Sequence, residues 1–173
     1  MKKLIFLALF LVLSGCATSP TGRSQFMLIS PEQAIISSRE AYVQTLQPLQ
    51  NEGKIDNDPR TAARVRYITG RLIAQAIKMR PDSADWEWSV VVIDDPKTVN
   101  AWCMAGGRMA DYTGLFEQLK LNDDEFAQIM GHEISHALAN HTAERMSRAM
   151  ATTVGVVAVG VASENKIAAM GGA

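Results

Sequence analysis

His132, His136 and His141 are the only histidines of the chain, and all three lie in the stretch GHEISHALANH, residues 131–141. Read as a helix, HEISH sets two imidazoles four residues apart, on one face and one turn above each other. Imidazoles so placed can share one zinc ion, supplying two of the three protein ligands that a catalytic zinc takes. Glu133, next to the first histidine, falls beside such an ion rather than on it. There its carboxylate can take a proton from zinc-bound water as the water attacks a carbonyl. So short a pattern also arises on helices with merely solvated histidines, and the setting decides between the two.

His141 is a different case. On a continuous helix it points roughly 140° away from His136. The long metzincin pattern would need a glycine at 139 and a ligand at 142, where Ala139 and Thr142 stand. His141 is therefore expected to cap the helix end, where a cationic imidazole meets the dipole. It is not counted as a ligand.

The elements that must hold this motif can be read around it. Asn122 is an N-cap with Glu125 as its capping-box partner, and Phe126, Ile129, Met130 and Ile134 form the apolar stripe of the motif helix. Upstream, Ser30-Pro31 opens one helix, with Ile35, Tyr42, Leu46 and Leu49 at helical spacing, and "NEG" closes it near 53. Asp58-Pro59 opens a second, with Val65, Ile68, Leu72 and Ala76 on one face, running out by Pro81. WEWSVVVI, 86–93, reads as a strand buried at its second half. VNAWCMAGGRMADYTG places Gly106 and Gly107 between two short extended runs, a hairpin or bulged edge strand. A short helix starts near Thr113. A last one is expected after Asn140, and its apolar stretch 151–162 is too short for a membrane span. The fold class expected is α+β, mostly helical, with a small sheet and edge strand beside the zinc-motif helix.

Length fits one domain, and an apolar content of 47% suffices for a core. A formal charge of −1 gives no basic surface for nucleic acid, and Arg60, Arg64 and Arg71 read as the wet face of a helix. MKKLIFLALFLVLSGC has two lysines, a short apolar run and small residues before Cys16, the order of a secretory signal. Its LSGC ending resembles the lipobox of bacterial lipoproteins. Residues 1–15 are thus expected to be a lipoprotein signal peptide, with Cys16 lipidated, 16–30 a tether, and 31–173 the folded domain. Ala17 after the cysteine favours sorting to the periplasmic face of the outer membrane, the acyl chains anchoring the chain to the bilayer. Cys103 then has no partner for an internal disulfide.

VNAWCMAGGRMADYTGLF followed by DDEFAQIMGHEISHALANH closely resembles one family, over roughly residues 60–160. These are the HtpX and CAAX-prenyl-protease type gluzincin metallopeptidases, peptidase family forty-eight of the metallo class. The lipobox points to its bacterial periplasmic lipoprotein branch. The resemblance implies one Zn2+ per chain on His132 and His136, with Glu133 as general base. It implies that Asn100, Ala101, Gly106 and Gly107 belong to the edge that pairs with an extended substrate backbone. It further implies a zinc endopeptidase acting on misfolded or misassembled envelope proteins, with outer-membrane assembly partners possible. Ala105 and Asp111 depart from common family residues at their positions. Relatives take a third ligand from an E-x-x-x-D motif on a later helix, and neither Glu144 nor Glu164 has that context. The third ligand is therefore expected beyond residue 173, the domain being read as incomplete at its C-terminus. The alternative from another class is an outer-membrane lipoprotein that binds clients without cleaving them.

Overall fold

The computed structural model describes residues 16–19 and 22–154. The leader expected at 1–15, Glu164 and the segment after 154 lie outside them. A two-stranded hairpin comes first, β1 (Cys16–Thr18) paired antiparallel with β2 (Ser24–Phe26). Helices α1 (Pro31–Asn51) and α2 (Pro59–Met79) follow, then a single 3-10 turn at Pro81–Asp85. Strands β3 (Ser89–Ile93), β4 (Ala101–Cys103) and β5 (Arg108–Tyr112) form one sheet. After it come α3 (Thr113–Leu119) and α4 (Asp123–Leu138), the zinc-motif helix. Residues 141–154 are again helical and are called α5 here. The fold is α+β and mostly helical, as the sequence patterns imply.

Helix starts follow the expected side-chain chemistry. Ser30 Oγ accepts from Gln33 N at 3.2 Å while Gln33 Oε1 accepts from Ser30 N at 3.0 Å, closing a capping box ahead of Pro31. Asp58 accepts from the amides of Arg60 and Thr61, with Pro59 where its missing N–H costs nothing.

The sheet order is β3-β5-β4. β5 lies in the middle, parallel to β3 and antiparallel to β4, with Ala101 opposite Asp111, Trp102 opposite Ala110 and Cys103 opposite Met109. Because side chains alternate across a strand, the two faces of the sheet bury different sets. Val92, Ala101, Cys103 and Met109 meet α2 and α4 through Val65, Ile68, Phe126, Met130 and Ile134. On the other face, Ile93, Ala110, Trp102 and Tyr112 meet Tyr42, Leu46 and Leu49 of α1. The small sheet is thus a middle layer, and the zinc-motif helix rests on one side of it.

The β4–β5 turn explains its paired glycines. Gly106 and Gly107 have φ +85° and +83°. A Cβ on Gly106 would come 2.8 Å from Ile35 Cγ2, and one on Gly107 would come 2.5 Å from Trp88 Cε3. The turn is pressed between α1 and the strand leading into the sheet.

The stretch 16–30, expected to be a tether, instead folds in part and docks. Arg23 and Gln25 both bind the Glu144 carboxylate, Gln25 Nε2 donates to the Ala139 carbonyl at 2.8 Å, and Ser147 Oγ accepts from the amides of Leu28 and Ile29 at 2.9 and 2.8 Å. The partners all lie more than a hundred positions downstream, which is why local composition read as linker.

Candidate metal centre

The motif helix is fixed at both ends before any ligand chemistry enters. At its start, Asn122 Oδ1 accepts from the amides of Asp124 and Glu125, both at 3.0 Å, and Glu125 Oε2 accepts from Asn122 N at 2.9 Å. Along its length Phe126, Met130, Ile134, Ala137 and Leu138 are buried in the core. That stripe leaves His132, Glu133 and His136 on the opposite, wetter flank.

At its end the helix breaks. Asn140 takes a left-handed conformation, φ +56°, and the Arg80 guanidinium donates to Leu138 O at 2.7 Å and to Asn140 Oδ1 at 2.8 Å. An arginine from the end of α2 thus satisfies one main-chain carbonyl that the helix leaves open, that of Leu138, and holds the Asn140 side chain beside it. The chain turns at residues 139–140 before α5 begins. This corrects the expectation for His141. Its ring is not turned away and does not cap the helix; the break swings it back, so that His136 Nδ1 and His141 Nδ1 lie 2.6 Å apart.

His132 Nε2 and His136 Nε2 converge to 3.0 Å, their rings nearly perpendicular at 81°. Two nitrogens on one tetrahedral zinc at about 2.0–2.1 Å stand roughly 3.3–3.4 Å apart, so the pair needs only a slight opening to fit. Glu133, His136 and His141 line one cavity of about 850 Å³. Its other walls come from Trp102, Cys103 and Met104 of the β4 segment, from Ser37, Ser38 and Ala41 of α1, and from Arg23 and Glu144.

The residues expected to hold substrate divide. Ala101 lies in β4, and Asn100 precedes it, its carbonyl accepting from Tyr112 N at 3.1 Å. Met104 N donates to Arg108 O at 2.9 Å, so by alternation the main-chain groups of Ala101 and Cys103 face away from β5. Among the described residues no strand pairs with β4 on that side. Gly106 and Gly107 are buried in the turn and, like Asn100 and Ala101, do not line the cavity. Sequence reasoning missed Trp102, Cys103 and Met104 as the lining stretch, and Arg80 as the clamp. An alternating pattern around Ala101 could have pointed to Cys103; nothing local points to Arg80.

Burial dominates the electrostatics beneath the motif. Asp111 is fully enclosed, and among the described residues neither carboxylate oxygen has a hydrogen-bond partner. Burial and then the charge of Glu133 push its pKa up to about 8. Burial, with Glu133 and Asp111 nearby, pushes the Cys103 thiol up to about 12, so it is a packing group and not a nucleophile. Burial and the neighbouring His136 lower the pKa of His141. Glu144 goes the other way: hydrogen bonds from Arg23 above all, and from Gln25 and Arg148, bring it down to about 2. Its oxygens are committed to those three partners, which removes Glu144 as a substitute ligand.

Residues 59–172 match the family described as Peptidase family M48, a span covering well over half of the chain. The chain belongs to peptidase family M48. Its M48 relatives include the mitochondrial metalloendopeptidase OMA1 of Homo sapiens, 30% identical over 72% of this chain and 23% of that protein. OMA1 of Arabidopsis thaliana is 41% identical over a shorter stretch, 35% of this chain and 12% of that protein. The metalloprotease YcaL of Escherichia coli K12 is 29% identical over 90% of this chain and 65% of its own length. The chain thus spans less than two thirds of these relatives. M48 metalloproteases are generally zinc-dependent, and the converging Nε2 pair suits such an ion. Among the described residues no group of three His, Cys, Asp or Glu side chains is placed to hold one.

Proposed function

We propose that this M48 chain is a zinc-dependent endopeptidase of the HtpX and CAAX-prenyl-protease, gluzincin type, in the periplasmic lipoprotein branch. Its substrates would be misfolded or misassembled envelope proteins, and lipidated Cys16 would hold it on the periplasmic face of the outer membrane. The observation that carries the reading is the convergence of His132 and His136 Nε2 to 3.0 Å, with Glu133 and His136 lining a cavity walled in part by β4.

An extended peptide would add to the outer edge of β4 through the main-chain groups of Ala101 and Cys103, which holds one carbonyl straight above the histidine pair. Asn100 and the Gly106–Gly107 turn would fix the two ends of that edge. A zinc ion held by His132 and His136 would polarise the carbonyl and make water a better nucleophile. Glu133 accepts a proton from the attacking water as the new C–O bond forms. It returns the proton to the leaving nitrogen as the C–N bond breaks. Glu144 does not supply the third protein ligand, since its oxygens are committed to Arg23, Gln25 and Arg148.

A Glu133→Gln variant tests the reading. Casein cleavage should fall by more than about a hundredfold, the scale of general-base loss, with zinc content unchanged by elemental analysis. Cleavage persisting in that variant would reject Glu133 as the base. A second reading uses the same open edge of β4: a lipoprotein that holds clients on that edge without cutting them. Client binding by wild type and Glu133→Gln alike, with no hydrolysis by either, would select it.

A further inference from the structure

We propose that His141 is a positioning residue for the metal ligand His136: it receives the His136 Nδ1 proton and thereby fixes which ring nitrogen is free to bind the ion. This rests on the zinc reading of His132 and His136. It assigns a task to a histidine that the ligand motif leaves over.

Geometry leads to this assignment. The two Nδ1 atoms are 2.6 Å apart, a separation at which one nitrogen must donate and the other accept. His136 turns its other nitrogen, Nε2, toward His132 Nε2 at 3.0 Å. A lone pair for a metal at Nε2 requires the His136 proton on Nδ1. That proton then points at His141, whose own Nδ1 must be bare and whose proton sits on Nε2. In the metal-free protein both contacts are then met with His132 Nε2 protonated and donating to His136 Nε2, a proton that the ion would displace. Metal-bound histidines are ordinarily held in this way, by an acceptor at the second ring nitrogen that sets tautomer and ring angle. Carboxylates and carbonyls are the usual acceptors, whereas here an imidazole takes the role. The local acid does not compete, since Arg23, Gln25 and Arg148 occupy Glu144.

The position of His141 is itself built. Asn140 turns the chain in the left-handed region and Arg80 clamps that turn by 2.7 and 2.8 Å contacts. Ala143 and Ser147, buried on α5, seat the helix that His141 begins. The HEISH helix alone could not reach this arrangement, because a continuous helix would aim His141 elsewhere.

The test uses the full chain with His141→Ala and His141→Asn, asparagine placing an amide oxygen close to where Nδ1 stood. Nitrogen-15 spectra of the metal-free proteins should show His136 protonated at Nδ1 in wild type and in His141→Asn. The alanine variant should lose that preference while its thermal midpoint stays close to wild type. Titration with Co2+ against a chelator should show affinity about 10- to 100-fold weaker in His141→Ala and largely restored in His141→Asn. An unchanged His136 tautomer or unchanged Co2+ affinity in His141→Ala would overturn the proposal. So would a Co2+ spectrum requiring His141 as a direct ligand. Wild-type protein with the expected tautomer but no Co2+ affinity would reject the zinc reading while leaving the imidazole pair intact.

Discussion

A carboxylate buried without a hydrogen-bond partner costs more than an apolar residue of similar size, and among the described residues Asp111 finds no partner. Its folded pKa of about 8 lies above the ordinary 3.8. The sign follows directly. Below pH 3.8 both folded and unfolded forms hold the proton and stability is full. Between 3.8 and about 8 the unfolded chain gives up its proton and the folded chain does not, so stability falls with rising pH. Asp111→Val should therefore raise stability at pH 8 by on the order of a few kcal/mol and flatten that slope. Urea midpoints of both proteins at pH 5 and pH 8 would show it; parallel pH profiles would mean that the carboxyl is stabilised by a partner. The charge of Asp111 was plain in the sequence. Its enclosure opposite Ala101 and under Glu133 needed three elements to come together.

At the scale of elements, two devices set the site and each makes a prediction. Gly107 holds φ +83° against the Trp88 indole, whereas Gly53, at φ +68°, has open space around its missing Cβ. Gly53→Ala should cost about 1 kcal/mol from the backbone alone. Gly107→Ala should cost clearly more, about 1–3 kcal/mol beyond that, because a rigid ring must move. Equal denaturation midpoints for the two variants would remove the steric argument. The second device is the Glu144 cluster joining the β1–β2 hairpin to α5. A pKa lowered from 4.5 to about 2 means that Glu144 stabilises the fold above its ordinary range and that this contribution is lost as pH falls from 4.5 toward 2. Glu144→Gln should abolish that acid step and speed hydrogen exchange at the Leu28 and Ile29 amides, which Ser147 holds. Unaltered exchange would mean that the hairpin docks without the carboxylate. Helix starts at Ser30, Asp58 and Asn122 were legible because caps are local chemistry. The docking of residues 22–29 was not, since Glu144, Ala139 and Ser147 come from the far end of the chain.

Over the described residues, the short sheet separates α1 from α2 and α4, and β4, whose outer edge pairs with no strand among them, contributes Trp102 and Cys103 to the cavity wall. None of the described helices is long and apolar enough to cross a membrane. The membrane association proposed above is through lipid at Cys16. Cys16→Ser should move the expressed chain from the membrane to the aqueous fraction, with the thermal midpoint of the folded domain preserved; continued membrane retention would refute the anchor. Because β1 begins at Cys16 and Arg23, just ahead of its partner strand, binds Glu144 in the cavity wall, such an anchor would lie at the start of the hairpin that reaches the cavity. Sequence by itself determined the motif helix, its cap, the strand–turn–strand beside it and the family, since each depends on spacing within one short segment. Tertiary structure alone decided what His141 touches, what holds the end of the motif helix and which strand residues wall the cavity. The reason is that a left-handed residue at 140 and an arginine from another helix redirect the chain, and no periodicity counted along a straight helix can register a turn made by a distant side chain.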